Sequence, residues 1–459
     1  PANAEVVRIT ARTSDTLTIT RSQESTTART IQVGDTLVGS LTAKSLTDIE
    51  DILTGTTGWP ADIIPATDNL YDLGSTSKRW AEIWAYAATF TNNIIAGGSI
   101  SSAGVKLVKP FTVVGMAEPV DYLCDGTADD VQIQEALTAV GTAGGGIVLV
   151  KEGTYDITAI LTVPSNVTLQ GEGWATILKA SVALYSVITN SDTTAGNTKI
   201  IIRDLMVDGN FLAGVNSPGA SGYDTLIYFR THSNMPSLQL NVCTECQVLN
   251  CKVVKSYNGG GIGFVDIEYA HVLGFLPLDW KGCKVLGCYV DNIETGAGGT
   301  HTGNGKAIRT IAASYIEIGN NFVGLSYDQS IHTVHSFYIN IHNNVCVNDS
   351  TGSLNAGGIW LSYGTKHSKI YNNIVTCSTT VNSVALAIVG GGASYPPVDA
   401  SYFPEGNSIT NNIVTSAYNG IQVAGSDQVV SGNIVLSPTN SAIILSTYGT
   451  TNTDRVIVS

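Results

Sequence analysis

A six-residue motif recurs seven times between residues 248 and 435. It runs apolar, any, any, Asn or Cys, any, then Val, Ile or Cys. Its first and fourth residues are Val248/Cys251, Val285/Cys288, Ile318/Asn321, Ile341/Asn344, Ile370/Asn373, Ile409/Asn412 and Val430/Asn433. The fourth residue advances by 37, 33, 23, 29, 39 and 21. The short steps define a bare unit of about two dozen residues, and the long ones are the same unit with an insertion. One such unit cannot bury its apolar side alone, so a repeat of this length predicts a solenoid in which stacked coils share a core. Coils stacked as strands lie about 4.8 Å apart, and equivalent residues then form files. Asn321, Asn344, Asn373, Asn412 and Asn433 are expected to stack at a turn, where Asn tolerates a left-handed backbone and its amide reaches the next coil.

Composition agrees with a β-rich chain. Of 459 residues 13% are charged, and 48 are Gly; with the abundant Thr and Asn this disfavours helix interiors. A net charge of −14 argues against nucleic acid as the main partner, because phosphate affinity needs clustered Lys and Arg. No apolar run is long enough to span a bilayer, so no membrane insertion is expected, and the first residues lack a signal-peptide pattern. Cys243, Cys246, Cys283 and Cys288 can be read as a zinc site of two close pairs. Register favours another reading. Cys246 to Cys251 and Cys283 to Cys288 are one hexapeptide repeated a coil apart, with Cys251 and Cys288 extending the Asn file as reduced, buried thiols. No metal or cofactor is expected.

The first 110 residues differ. Residues 17–20 and 36–38 read as short strands, 41–53 as a helix and 54–65 as a Gly/Thr/Pro linker. The segment around Thr18, Arg21, Glu24, Ala28, Gly34 and Asp35 resembles a β-module of tail-fibre proteins. Residues 69–84, with Asp72, Leu73, Gly74, Arg79, Trp80 and Trp84, resemble a repeat common in phage tail fibres and spikes. Trp80 and Trp84 suit either an intersubunit contact or an ordinary core. Residues 121–173 carry Asp125, Gly126, Asp129 and Asp130 before a helical run, then three glycines at 144–146, a strand, Gly153 to Tyr155, and Asn166 to Gly173. This pattern is similar to the opening of the pectate-lyase-like superfamily, which includes many tailspikes. Asp129 or Asp130 is placed to cap the helix; a metal site in the Asp cluster is the alternative. The resemblance implies an all-β fold, a right-handed parallel β-helix over 111–459, with a small β-rich module over 1–55 and a linker and neck over 56–110. It further implies a parallel homotrimer attached to virion tail or baseplate proteins, assembled in a host cytoplasm and acting outside the cell on a surface polysaccharide.

Each coil has another strand, aligned on an inward apolar residue: Ile262, Ile308, Ile331, Ile359, Leu386 and Ile421. Side chains alternate along a strand, so the next residue faces out: Gly263, Arg309, His332, Trp360, Ala387 and Gln422. Three residues further come Asp266, Ala312, His335 and Tyr363, and Asp328 lies at the other margin. Arg309, His332, Asp266 and Asp328 are the candidate catalytic residues; Trp360, His335, Tyr363, Glu268 and Asp279 are the candidate substrate contacts. They are expected to share one exposed patch, flanked by insertions near 266–282, 294–305 and 390–406. A Trp beside Arg, His and carboxylates suits a sugar chain. Hydrolysis would use two carboxyls among Asp266, Glu268, Asp279 and Asp328. A uronate lyase would use Arg309 or Lys306 to neutralise the acid and His332 or Tyr363 as base. A depolymerase, a non-catalytic receptor-binding spike and a structural fibre segment are the competing readings. The last residues show no solenoid cap, which suggests a longer natural chain.

Overall fold

The structure is a computed structural model. It describes residues 5–36 (except 24) and 111–459, less 183, 212–223, 232–241, 258, 267–277, 294–304, 349–356, 391–402 and 447–454. The chain divides into two units, Pro1–Ala103 and Gly104–Ser459. In the first, Arg8–Thr13 and Thr16–Thr20 pair antiparallel, so residues 17–20 form a strand as expected. The strand expected at 36–38 falls at the edge of the described residues. The helix at 41–53, the linker at 54–65 and the 69–84 repeat with Trp80 and Trp84 lie outside them.

The second unit is a right-handed parallel β-helix of three sheets. In each coil a first-sheet strand leads through a tight turn to a second-sheet strand, which leads to a third-sheet strand. The long strand Ile413–Val423 serves both of the latter. Alternation decides what faces the core. Ile341, Ile370 and Ile409 pair coil to coil in the first sheet, and Ile331, Ile359, Leu386 and Ile421 in the third; all are fully buried. Each such side chain contributes roughly 1.5–3 kcal/mol on burial. Phe229 and Phe264 stack between coils at 4.9 Å, with Trp280 edge-on to Phe264 at 5.9 Å.

The Asn file is a hydrogen-bonded ladder. Nδ2 of Asn321, Asn344, Asn373 and Asn412 each donates at 2.9 Å to Oδ1 of the Asn one coil on, ending at Asn433. The left-handed residue is the one before each, namely Asn320, Asn343, Asn372, Asn411 and Gly432. The preceding residue makes the turn, and the file residue points into the core. The two cysteines do the same work. Cys251 Sγ donates to Ile202 O and Cys288 Sγ to Val248 O, each at 3.5 Å, as Asn321 Nδ2 does to Val285 O. All eight cysteines are free and buried. Burial pushes both file thiols up, Cys288 to about 12, so they stay protonated.

Helix α1 (Asp130–Thr142) buries Ile133, Ala136, Leu137 and Val140 over Gly146–Val150 and Leu161–Val163, closing that end of the solenoid. The capping expectation is corrected. Asp129 holds the N-cap position without a side-chain cap bond. Its carboxylate accepts from Gly126 N and Asp156 N, each at 2.8 Å, and Asp130 accepts from Thr158 N at 2.6 Å. Both acids tie the helix to strand Gly153–Ile157 and the residue after it, where unpaired amides are costlier than at a half-open helix end.

Candidate functional site

The outward file of the third sheet has the register read from the sequence. Gly263 pairs with Arg309, Arg309 with His332, His332 with Trp360, Trp360 with Ala387, and Ala387 with Gln422. The same file extends back to Tyr228, opposite Gly263.

Its environment differs from the expected exposed patch. Arg309 is 1% exposed, Asp328 5% and His332 9%. Such groups are tolerated away from water only when paired, and Asp328 and His332 have close polar partners. Lys306 Nζ lies 2.5 Å from Asp328 Oδ2, and Gln329 Nε2 donates to Asp328 Oδ1 at 2.6 Å. Asn348 Nδ2 reaches the Asp328 carbonyl at 2.6 Å. His332 Nε2 stands 3.0 Å from Ser362 Oγ. Burial raises the Asp328 carboxyl against the opposing pull of Lys306 and Arg309. Burial, and then those same two cations, push His332 well below the usual imidazole range, so it is neutral. The result is two cations, one carboxylate and one neutral imidazole in a low-dielectric setting.

Trp360, His335 and Tyr363 are half-buried at the rim. The indole donates from Nε1 to Val384 O at 3.0 Å and packs with Val384, Ala387 and Val389. It lies so close to the start of its own strand that a Cβ on Gly357 would stand 2.3 Å from Nε1, so only Gly fits there. His335 and Tyr363 each directly follow a strand and lie in the left-handed region, with ring centroids 6.2 Å apart. Burial takes His335 down to about 4. Asp266 ends the strand Gly260–Asp266, opposite Thr231, and Asp279 lies in Leu278–Asp279. The side chains of both, and all of Glu268, are outside the described residues. Among the described residues no cluster of three or more His, Cys, Asp or Glu could hold a metal ion, and no helix is long and apolar enough to cross a membrane.

Sequence reasoning missed Tyr228 as a member of this file. The strand Thr225–Thr231 lacks the Gly-Ile opening shared by several others, but aligning Ile227 with Ile262, as the register does, would have put Tyr228 in the file.

No family model matches this chain, and no curated protein matches it either. Among solved structures it is similar to an exopolygalacturonase from Thermotoga maritima, at 11% identity over 72% of this chain and 86% of that one, TM-score 0.48. The A-module of the mannuronan C-5 epimerase AlgE6 of Azotobacter vinelandii matches at 16% identity, 74% and 97% coverage, TM-score 0.38. The Dettilon tailspike protein matches at 13% identity, 72% and 68% coverage, TM-score 0.40. At these identities the shared feature is the fold.

Proposed function

We propose that the chain is a tailspike-like protein that binds and cleaves a cell-surface polysaccharide. The observation that carries this reading is that Arg309 and His332, on one outward file with half-buried Trp360, lie with the Lys306–Asp328 pair on the face whose strands lead into His335 and Tyr363. A purely structural fibre has no use for two cations held in a nearly dry setting. Of the two chemistries, the described residues suit elimination from a uronic acid. Lys306 and Arg309 would neutralise the acid, and neutral His332 would take the C5 proton on its unprotonated ring nitrogen. Hydrolysis needs a second carboxyl at a set distance, and Asp328 is the one carboxylate of the described cluster. Because Arg309 and His332 are buried, the reading requires the site to open on binding.

The same reading places the protein on a virion tail as a homotrimer. Supporting self-association, the outward file of the second sheet runs Tyr289, Phe322, Val345, Ile374, Ile413 and Ile434 without a charge. Phe322, Ile374 and Ile434 are 38%, 42% and 52% exposed. A solvated face is normally polar. A straight apolar ridge with a repeat of about 4.8 Å matches the same ridge on a parallel copy.

The test is a panel of surface polysaccharides assayed for unsaturated uronate and for reducing ends. Unsaturated product from one glycan, abolished in Lys306→Met and His332→Gln, supports the lyase reading. Binding without product favours a receptor-binding spike, and neither binding nor product refutes the proposal.

A further inference from the structure

Three buried cysteines meet at the turn into the first sheet. Cys246 and Cys283 each precede a paired strand residue, Gln247 opposite Lys284, so they hold the same place one coil apart. Stacked strands set such residues about 4.8 Å apart, inside the Cα separation of roughly 4.4–6.8 Å that a disulfide spans. The sulfurs converge as well. Cys283 Sγ leans back a coil and donates to Cys243 O at 3.5 Å, and Cys243 Sγ accepts from Asn197 N at 3.4 Å. Cys246 Sγ is in hydrogen-bond contact with both of the other thiols. Among the described residues no such group can hold a metal ion, so the chemistry open to the three is that of sulfur itself.

Cys251 and Cys288 provide the contrast. They too stand one coil apart, because Lys252 pairs with Tyr289. Their thiols are given to backbone carbonyls, Ile202 and Leu249 for the first, Val248 and Leu286 for the second, and burial pushes both up. Burial opposes ionisation of Cys246 too, but the Cys243 and Cys283 thiols and the Ile200 backbone outweigh it and draw that thiol down. Burial pushes Cys243 and Cys283 up. A thiolate touching a thiol is the arrangement that oxidation to a disulfide requires. The neighbouring turn residues Glu245, Lys281 and Gly282 are exposed, so a small oxidant needs only a local opening to arrive.

We infer that Cys246 and Cys283 are a modification site for a peroxide, which joins them as a disulfide between consecutive coils. The Cys246 thiolate attacks one oxygen of hydrogen peroxide. The O–O bond breaks, leaving a sulfenic acid and a hydroxide that takes up the proton released by Cys246. The Cys283 sulfur then attacks the Cys246 sulfur, the S–O bond breaks, and a second water leaves with the Cys283 proton. Both sulfurs are oxidised and one peroxide is reduced to two waters. The place is one where a staple has most effect. Cys246 and Cys283 are 37 residues apart, where the barest coils take 21 and 23, and a longer closed loop gains more from a cross-link. The bond does not depend on what the third sheet binds.

The experiment treats the folded full chain with hydrogen peroxide, blocks the remaining thiols with N-ethylmaleimide in denaturant, and maps the digest by mass spectrometry. One cross-linked peptide pair, Cys246 with Cys283, is expected, with Cys251 and Cys288 alkylated. The urea midpoint of the oxidised chain should rise and should return to its starting value with dithiothreitol. Cys283→Ala should lose both the bond and the rise, and Cys288→Ala should keep both. Mapping on the unaltered chain needs no variant to fold. Cys246 joined to Cys243 instead, Cys251 joined to Cys288 as often, a bond that forms only in urea, or all of these thiols left free each overturns the cross-link.

Discussion

Asn373→Ala tests the ladder on which every file depends. Asn373 is fully buried. Its Oδ1 accepts from Asn344 N and Asn344 Nδ2, both at 2.9 Å. Its Nδ2 donates to Asn412 Oδ1, Tyr371 O and Ile341 O at 2.9, 3.0 and 3.1 Å. Truncation strips the Asn344 backbone amide of its acceptor in a site water cannot reach. One buried orphan costs about 1–3 kcal/mol, and each lost bond whose partner keeps another contact costs about 0.5–1 kcal/mol. The Asn344 amide group and Asn412 Oδ1 keep such contacts through Ile318 O and Asn373 N. The sum is about 4 kcal/mol. Asn433→Ala is the control. Asn433 is half-buried at the last rung, where water can replace what Asn412 loses, so about 1 kcal/mol is expected. The measurement is the urea midpoint at constant m-value, followed by far-ultraviolet dichroism. Equal losses in the two variants, or less than about 1 kcal/mol in Asn373→Ala, would refute an energetic role for the ladder.

Lys306→Met leaves the buried Asp328 carboxylate without its ion-pair partner and should destabilise by about 3–5 kcal/mol, while adding Asp328→Asn recovers most of that; additive losses in the urea midpoint would contradict a coupled pair. His335, held at about 4 by burial, binds its proton more readily when unfolded. Its contribution is therefore full above the unfolded value of about 6.5 and is lost as pH falls toward 4, amounting to about 3 kcal/mol. The stability gap between wild type and His335→Asn should narrow across that window, and a constant gap would exclude the linkage; Asp328, raised in the fold, titrates the opposite way but cancels in this comparison. Ile374→Glu puts a charge in the middle of the second-sheet ridge, so light scattering should report a lower mass than for the wild type at the same concentration, and an unchanged trimer would remove that ridge from the interface.

What could be read from the sequence was local. The Asn and Cys file is set by turn chemistry, and the outward file by strict alternation around Ile308, Ile331 and Ile359, so the register of both followed from short-range rules. What failed was long-range. Arg309 and His332 face outward as expected yet are buried, and alternation says only which side a residue faces, not how exposed it is. Asp129 and Asp130 carried a capping signal, yet their partners at Asp156 and Thr158 lie 27 and 28 residues away. Tyr228 sits in a largely apolar run, Thr225–Thr231, whose alternation is not evident from the sequence, so its place in the outward file came only from the register.

The three sheets present nearly the same apolar file inward and quite different files outward, and that contrast separates stability from function. On the first sheet Lys284, Glu317, Asn340, Lys369 and Ser408 follow one another, with Glu317 held by Lys284 at 2.9 Å and His342 at 3.1 Å; this is what solvent selects. On the second sheet five successive outward residues from Phe322 to Ile434 are apolar, which solvent does not select and a matching ridge does. On the third, Tyr228, Arg309, His332 and Trp360 place charge and aromatic surface where the core requires neither. Because each outward file is one residue out of step with a buried one, its residues can change without touching the core. A coil that keeps its Ile and Asn can therefore carry a solvated, an apolar or a charged outward residue on the same inward frame. The outward files are where selection for a partner or a ligand can act alone, and the charged and aromatic one is the first place to mutate for activity.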